Sequence, residues 1–334
     1  MSIRVVCYGL GPIGLGIARM AHARPGIEIV GAVDVDPNKV GHDLDELLAT
    51  PGAAAPRGNI VVSGDAATTL AATRPDVVLH ATGSALPRVV GQLLAIVEAG
   101  ANVVSTCEEL AYPWTAQPQL AAELDATARR AGVTLLGTGI NPGYAMDALP
   151  LMLTAPCAAV RSVRVLRVVD AAKRRGPLQR KVGAGLSPEE FEARVRDGSV
   201  RHVGLPESLH MLATSLGWRL ERMDDTIGAV LAEQPIVTDY VQVAAGQVAG
   251  VRQVARGFMA GREVLNLELR MYVGAPDPQD TVEIEGDPPV KMTVAGGLHG
   301  DVATAAIVIN AVPSVVRAGP GLASMSDAPL VHFW

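Results

Sequence analysis

The segment Gly9-Leu10-Gly11-Pro12-Ile13-Gly14 follows directly on an apolar run at residues 4–8 and opens a stretch, 13–22, whose apolar residues recur at helical spacing. A strand that turns this tightly into a helix is the start of a βαβ unit. The first glycine permits the turn, the second lets the backbone approach a pyrophosphate, and the third lets helix and strand pack closely, with the helix N-terminus facing the anion. Leu10, Pro12 and Ile13 complete the cradle. Twenty residues past Gly14, Asp34 closes the second apolar run. A carboxylate there accepts hydrogen bonds from the 2′- and 3′-hydroxyls of an adenosine ribose and repels a 2′-phosphate. The expected cofactor is therefore NAD. Asp36 is an alternative to Asp34 in this role, and Lys39 leaves room for NADP to be tolerated.

The strand–helix alternation continues to about residue 139. Strands are expected at 4–8, 28–33, 60–63, 77–81, 102–106 and 133–137, and their near-continuous apolar content suits a parallel sheet buried on both faces. Helices are expected at 13–22, 86–98 and 115–131, and a Pro/Gly-rich loop at 50–58. After Asn141-Pro142-Gly143 the texture changes. A helix near Met146 and a strand at 160–169 lead into an aperiodic basic stretch, 173–185, read as a mobile loop. Ser187 and Glu190 form both ends of a capping box around Pro188, which predicts a helix at 188–196. Another helix is expected at 207–216. From Tyr240 onward strands follow one another at 241–244, 247–259, 263–272, 282–285 and 289–294, the signature of an antiparallel or mixed sheet. Asp301 is expected to cap a last helix running to about Val316. The fold class is thus α/β: an N-terminal Rossmann doubly wound parallel sheet (1–141), an α+β substrate domain with a mixed sheet (142–297), and a C-terminal helix and tail (298–334) packing back on the Rossmann domain.

Composition excludes several classes. A net charge of −6 provides no basic excess for nucleic acid or anionic membranes. Cys7, Cys107 and Cys157 are isolated, so neither a disulfide scaffold nor a structural zinc site is suggested, and a reducing cytoplasm fits. No run of ~18 consecutive apolar residues marks a membrane span. Hydrophobic residues make up 49% of the chain but aromatics only 3%, so the few rings that cluster stand out.

In an open α/β sheet, ligands sit beyond the carboxyl ends of the strands. Thr82 and Gly83 follow the fourth strand, and Thr106 and Cys107 end the fifth, so these four are candidates to meet the nicotinamide half of the cofactor; the alternative for Thr82 is a helix N-cap. His80 and Cys7 lie within strands and read as core. Next come Glu108 and Glu109. On extended backbone only one of two adjacent acids faces the cleft, where apolar surroundings raise its pKa toward proton-shuttling range. The competing reading is a pair of helix-start acids favoured by the dipole. Asn141, Pro142 and Tyr144 begin the crossing into the second domain and are candidate pocket residues. Tyr112 and Trp114 are further candidates for an apolar wall.

The runs Ser105-Thr106-Cys107-Glu108-Glu109-Leu110, Gly137-Thr138-Gly139-Ile140-Asn141-Pro142-Gly143, Gly204-Leu205-Pro206-Glu207-Ser208 and Gly296-Gly297-Leu298-His299-Gly300-Asp301-Val302-Ala303-Thr304-Ala305, with the glycine fingerprint, carry a resemblance over essentially the whole chain. Together they resemble the 2,4-diaminopentanoate dehydrogenases and native amine dehydrogenases, relatives of dihydrodipicolinate reductase. The resemblance implies NAD(P)-dependent oxidative deamination of an amine, or reductive amination of a ketone or aldehyde with ammonia, in a homodimer. It also implies Glu108 as the catalytic carboxylate. The paired histidines expected of a dihydrodipicolinate reductase are absent: all seven histidines are separated. A diamino acid substrate would need a cation for its carboxylate. Lys173, Arg174, Arg175, Arg180 and Lys181 are available, but such runs are usually solvated, and the scarcity of charge near Tyr144 favours a simple amine or ketone. A non-enzymatic dinucleotide sensor would keep the glycines but has no use for a cleft carboxylate, and no basic helix-turn-helix is found.

Overall fold

In the computed structural model, which describes residues 2–49 and 60–334, strands and helices alternate through the first part of the chain. The elements are β1 (Ile3–Tyr8), α1 (Pro12–Ala23), β2 (Ile27–Val33), α2 (Leu44–Leu48), β3 (Val62–Ser63), α3 (Ala66–Thr73), β4 (Val77–His80), α4 (Leu86–Glu98), β5 (Asn102–Ser105), α5 (Pro118–Ala131) and β6 (Thr134–Gly137). The expected loop at 50–58 lies outside the described residues. α3 escapes the sequence pattern because it is short, threonine-rich and weakly amphipathic; the Asp65 carboxylate, accepting the Thr68 N–H at 3.1 Å, starts it.

The second part comprises α6 (Ala148–Leu153), β7 (Ala159–Asp170), α7 (Gly176–Lys181), α8 (Pro188–Arg196), α9 (Leu205–Ser215), β8 (Arg222–Leu231), β9 (Ile236–Val237), β10 (Gln242–Val243), β11 (Val248–Met259), β12 (Arg262–Tyr272), β13 (Gln279–Asp287) and β14 (Val290–Ala295). The chain ends with α10 (Gly300–Arg317) and β15 (Gly321–Ala323). It divides into two compact units, Met1–Tyr144 with His299–Trp334, and Ala145–Leu298.

The first unit holds a seven-stranded parallel sheet in the order β15-β6-β5-β4-β1-β2-β3. Successive side chains on a strand point to opposite faces. Val5 and Cys7 therefore enter one apolar layer, shared with Ile17 of α1 and Val308 and Val312 of α10, while Val6 enters the other with Val89 and Leu93 of α4 and Leu124 of α5. Each fully buried Val, Leu or Ile contributes about 1.5–3 kcal/mol relative to exposure. α10 is long and apolar enough for a bilayer by length and composition, yet nine of its residues are buried. Its cap departs from expectation: His299 is the N-cap residue, its Nδ1 accepting the Val302 N–H at 3.5 Å, and Asp301 instead lies in the first turn.

The second unit carries a six-stranded mixed sheet, β14-β13-β7-β12-β11-β8, parallel only between β7 and β12. Its buried ion pair joins Arg167 and Asp280 at 2.6 Å, and both partners bond to Leu298: Arg167 Nη2 donates to its carbonyl at 2.7 Å and Asp280 Oδ2 accepts its N–H at 2.8 Å. The capping box is formed as its sequence predicts, starting α8.

Two expectations fail here. The stretch at 173–185 is not an irregular loop: it contains α7, because buried Gln179 donates to the carbonyls of Arg174 (2.8 Å) and Ala172 (3.2 Å) and accepts from Thr238 at 2.7 Å. A polar anchor leaves no apolar periodicity to read. The strand region also starts before Tyr240, at β8, an edge strand whose first half is polar and which is held by its long antiparallel pairing with β11.

Candidate active site

The strand order of the first unit reverses between β1 and β4, and the glycine turn sits at the carboxyl end of β1. Gly9 has φ +89°, and a Cβ there would lie 2.6 Å from the Ala81 carbonyl oxygen after β4. At Gly14 a Cβ would fall 1.8 Å from the Gly9 oxygen, so helix and turn close only without one. Gly11 differs. It sits at the N-cap of α1 with ordinary extended backbone, and a Cβ there would meet no protein atom within 4 Å. Nothing in the packing demands glycine, so the open space at the helix N-terminus fits the approach of a dinucleotide pyrophosphate. Pro12 and Ile13 begin the helix beside it, Pro12 exposed and Ile13 half-buried.

Asp34, 8% exposed, ties this turn to the end of β2. Its Oδ2 accepts the Leu10 N–H at 2.6 Å and its Oδ1 the Asp36 N–H at 2.8 Å. A carboxylate has about four acceptor sites, so Asp34 retains capacity for ribose hydroxyls. Lys39 Nζ lies 3.5 Å from Asp34 and 3.1 Å from the more exposed Asp36. The Asn38 backbone N–H and the bond from Lys39 hold the Asp36 carboxyl below its usual range. Burial works against the charge on Lys39, but the two carboxylates outweigh it and hold the ammonium above its ordinary value.

Beyond β4 and β5, a buried polar network orders the loops. His80 Nδ1 lies 2.8 Å from Ser105 Oγ, and its Nε2 lies 2.9 Å from Gln92 Oε1 and 2.8 Å from Thr82 Oγ1. Ser105 Oγ also accepts the Cys107 N–H at 3.1 Å. Burial pushes the imidazole down to about 4, so His80 is neutral. Thr82 is thus no helix cap: its hydroxyl donates to Gln92 at 2.6 Å, and Ala85 is the N-cap residue of α4. Gly83 follows in the same exposed turn, and Thr106 is half-buried with its N–H on the His80 carbonyl at 2.9 Å. The Cys107 side chain points into the core, where burial pushes the thiol up to about 12 and Sγ donates to the Ser84 carbonyl at 3.3 Å. Only its main chain is available to a ligand.

The backbone at Glu108 and Glu109 is not extended. Residues Glu108–Ala111 form a 3-10 turn that lies against the end of β6, where a Cβ on Gly137 would stand 2.5 Å from the Leu110 carbonyl carbon. Glu109 Oε2 accepts the Leu86 N–H at 2.8 Å, serving the N-terminus of α4, whereas Glu108 is half-buried at the head of the turn.

Asn141 and Pro142, joined by a cis peptide bond, are buried, and Tyr144 is half-buried. Among the described residues neither amide atom of Asn141 has a hydrogen-bond partner, nor has the buried hydroxyl of Thr138. Buried polar atoms in this state call for a partner, which an ordered water or a ligand supplies. Sequence reasoning had no signal for Thr138 or for the Ser105–His80–Gln92 chain; both depend on which side chains meet. Of the candidate rings, Tyr112 and Trp114 pack on each other with centroids 5.0 Å apart, and Trp114 lies against the α4–α5 core.

A parallel sheet with an open glycine turn at its reversal point, followed by a half-buried carboxylate after β5, defines a dinucleotide-dependent oxidoreductase. The family model for the 2,4-diaminopentanoate dehydrogenase C-terminal domain matches residues 144–334. The chain is 33% identical to 2,4-diaminopentanoate dehydrogenase of Acetoanaerobium sticklandii, over 98% of this chain and 94% of that one. The protein belongs to the 2,4-diaminopentanoate dehydrogenase family. An amine dehydrogenase structure from Mycobacterium smegmatis superposes with a TM-score of 0.87 at 28% identity, covering 100% of this chain and 98% of the other. A dihydrodipicolinate reductase from Paenisporosarcina shares the fold, with a TM-score of 0.52 at 12% identity, covering 98% of this chain and 99% of the other. The cofactor class is NAD(P).

Proposed function

We propose that the protein catalyses reversible NAD(P)-dependent oxidative deamination of an amine, and in reverse the reductive amination of a ketone or aldehyde with ammonia, with Glu108 as general acid and base. The carrying observation is a half-buried carboxylate, Glu108, at the head of the turn after β5, at the carboxyl end of the parallel sheet where ligands of such sheets sit, while the neighbouring Glu109 accepts the Leu86 N–H. The dinucleotide, when bound, supplies or accepts the hydride. The family membership and the likeness to an amine dehydrogenase support the reaction class.

In the reductive direction Glu108 takes a proton from ammonium, freeing the nitrogen lone pair to attack the carbonyl carbon. It returns that proton to the carbinolamine hydroxyl, which leaves as water, and its carboxylate then stabilises the iminium cation. Reduction of the iminium carbon yields the amine. Such proton transfer contributes about 10²–10⁴-fold. The unpartnered amide of Asn141, with Pro142 and Tyr144, lines the substrate side of this reading. Asp34 and Asp36 favour NAD, and Lys39 allows NADP. The same reading carries a cytoplasmic homodimer, for which light scattering on the eluted protein is the check of subunit number.

The experiment is to incubate protein with NADH, ammonium and a panel of ketones and oxo acids and follow absorbance. Ammonium-dependent oxidation of NADH is expected. Ammonium-independent turnover would make the protein a ketone or alkene reductase, and binding without any turnover would make it a sensor.

A further inference from the structure

The last rung at the centre of the parallel sheet is polar, although the rungs below it are apolar. His80 of β4 stands in register between Tyr8 of β1 and Ser105 of β5, whereas the preceding residues of the same strands align Cys7, Leu79 and Val104, and before them Val6, Val78 and Val103, all in the core. The His80 side chain is fully buried. Burying an imidazole costs free energy unless its nitrogens find partners, and a leucine would fill the same layer without that cost. Both nitrogens are met: by Ser105 at the end of β5, by Thr82 in the loop after β4 and by Gln92 of α4.

Gln92 Oε1 has only lone pairs to offer, so the ring proton sits on Nε2, facing Gln92 Oε1 at 2.9 Å and Thr82 Oγ1 at 2.8 Å. Nδ1 then accepts the Ser105 hydroxyl at 2.8 Å, which leaves a Ser105 lone pair for the Cys107 N–H at 3.1 Å. The bonds run one way, from the Cys107 N–H through Ser105 and His80 to Gln92, and Thr82 donates into the same Gln92 oxygen at 2.6 Å. Hydrogen bonds linked head to tail in this manner strengthen one another. Cys107 is the residue from which the 3-10 turn of Glu108 starts, and Thr82 lies in the loop between β4 and α4. The two segments are also laced directly, because the Ser84 carbonyl accepts the Glu109 N–H at 3.2 Å and the Cys107 thiol at 3.3 Å.

We propose that His80 is a positioning residue for the reaction. One arm, through Ser105 and the Cys107 N–H, fixes the turn that carries the Glu108 carboxylate; the other, through Thr82, fixes the loop that meets the dinucleotide. The proposal rests on the amine dehydrogenase reading and deepens it: acid and cofactor are served by separate loops, and a single buried ring sets their spacing. His80 itself touches neither substrate nor cofactor. Its nitrogens are spent on the network, and the Tyr8 ring packs against it edge to face with centroids 5.6 Å apart. A carbon side chain in its place would fill the layer but leave the Ser105 hydroxyl, and with it the Cys107 N–H, without a fixed direction.

The test cuts the two arms separately. Ser105→Ala is expected to lower kcat ~10- to 100-fold while the NADH dissociation constant, read by fluorescence titration, changes less than about twofold. Thr82→Val should act chiefly on the cofactor, raising the KM and dissociation constant of NADH roughly three- to tenfold, by more than it lowers kcat. His80→Leu should show both losses, and Ser105→Thr, which keeps the hydroxyl, should recover most of kcat. Hydrogen exchange gives a readout without turnover: the Cys107 amide should exchange at least ~10-fold faster in Ser105→Ala than in the wild type or Thr82→Val. Ser105→Ala and Thr82→Val that melt earlier but keep kcat and NADH affinity would overturn the proposal and leave His80 a core residue. Two variants that lose kcat and affinity alike, or a Cys107 amide whose exchange does not change, would overturn it as well. If the wild type turns over neither amine nor ketone while the exchange and NADH results hold, the role of His80 in ordering the two loops stands and the dehydrogenase reading falls.

Discussion

Glu109 Oε2 accepts the Leu86 backbone N–H at 2.8 Å, so the second acid of the turn after β5 is a structural tie to the first residue of α4. Glu108 and Glu109, alike in sequence, should therefore fail differently when neutralised. Glu108→Gln is expected to lower kcat by about 10²–10⁴-fold while NADH titration still shows binding. Glu109→Gln should keep its turnover and lose about 1–2 kcal/mol of stability, measured by urea unfolding, because a charge-assisted bond to a helix terminus becomes a neutral one. A dead Glu109→Gln beside an active Glu108→Gln would place the chemistry on the wrong acid.

The three fingerprint glycines separate folding from binding. A methyl at Gly14 collides with the Gly9 oxygen and should unfold or displace the turn, whereas a methyl at Gly11 meets no protein atom. Gly11→Ala should melt like the wild type yet bind NADH at least ~10-fold more weakly, a loss of about 1.4 kcal/mol. Thermal melts with and without NADH on the same sample decide this.

Nucleotide preference should separate along the Asp34–Asp36–Lys39 cluster. Asp34 holds the Leu10 N–H, so Asp34→Asn loosens the glycine turn and should raise KM for NADH and NADPH together. Asp36→Ser removes the exposed carboxylate and leaves Lys39 only its longer contact with Asp34, so that it can turn to a 2′-phosphate, and should raise the NADPH-to-NADH ratio of kcat/KM by about tenfold. Steady-state kinetics with both cofactors would show a ratio that stays put if Asp36 plays no part.

Two neutral buried histidines make stability depend on pH. His80 titrates at about 4 and His202 at about 3 in the folded chain, below the value of ~6.5 for an unfolded histidine. Below about pH 6.5 the unfolded chain takes up protons that the folded chain refuses. Stability contributed by keeping these rings neutral is therefore full above about pH 6.5 and is lost as pH falls toward 4 and then 3. The expected slope is up to ~1.4 kcal/mol per pH unit per histidine. Urea unfolding between about pH 7 and about pH 5 measures it, and His80→Gln should make the slope shallower.

The Arg167–Asp280 pair is buried on both sides, 2.6 Å apart. Arg167→Met leaves the Asp280 carboxylate without its cation and should cost about 3–5 kcal/mol. The double variant with Asp280→Leu should recover much of that, since an apolar pair leaves no lone charge. Thermal unfolding of the single and double variants checks the pair.

Where a local rule is strong, the chain is legible without its structure. The glycine turn announces β1 and α1, the Ser187–Glu190 box announces α8, and the apolar spacing at 86–98 matches α4 end to end. These elements are set by backbone geometry, capping and periodicity, all of which act over a few residues. α7 and β8 escaped because nothing local defines them. α7 is held by Gln179 reaching carbonyls and Thr238, and β8 exists because β11 lies beside it.

The site divides the same way. Sequence alone determined the dinucleotide cradle, the parallel sheet that presents it and the acidic pair after β5, since each follows from residue type at fixed spacing. Only the tertiary structure decided which acid is spent on a helix terminus, that Cys107 turns inward, and that His80 meets Ser105, Gln92 and Thr82 in one buried network. Those outcomes depend on side chains far apart in the chain competing for the same buried partners, and no spacing rule encodes which of them wins.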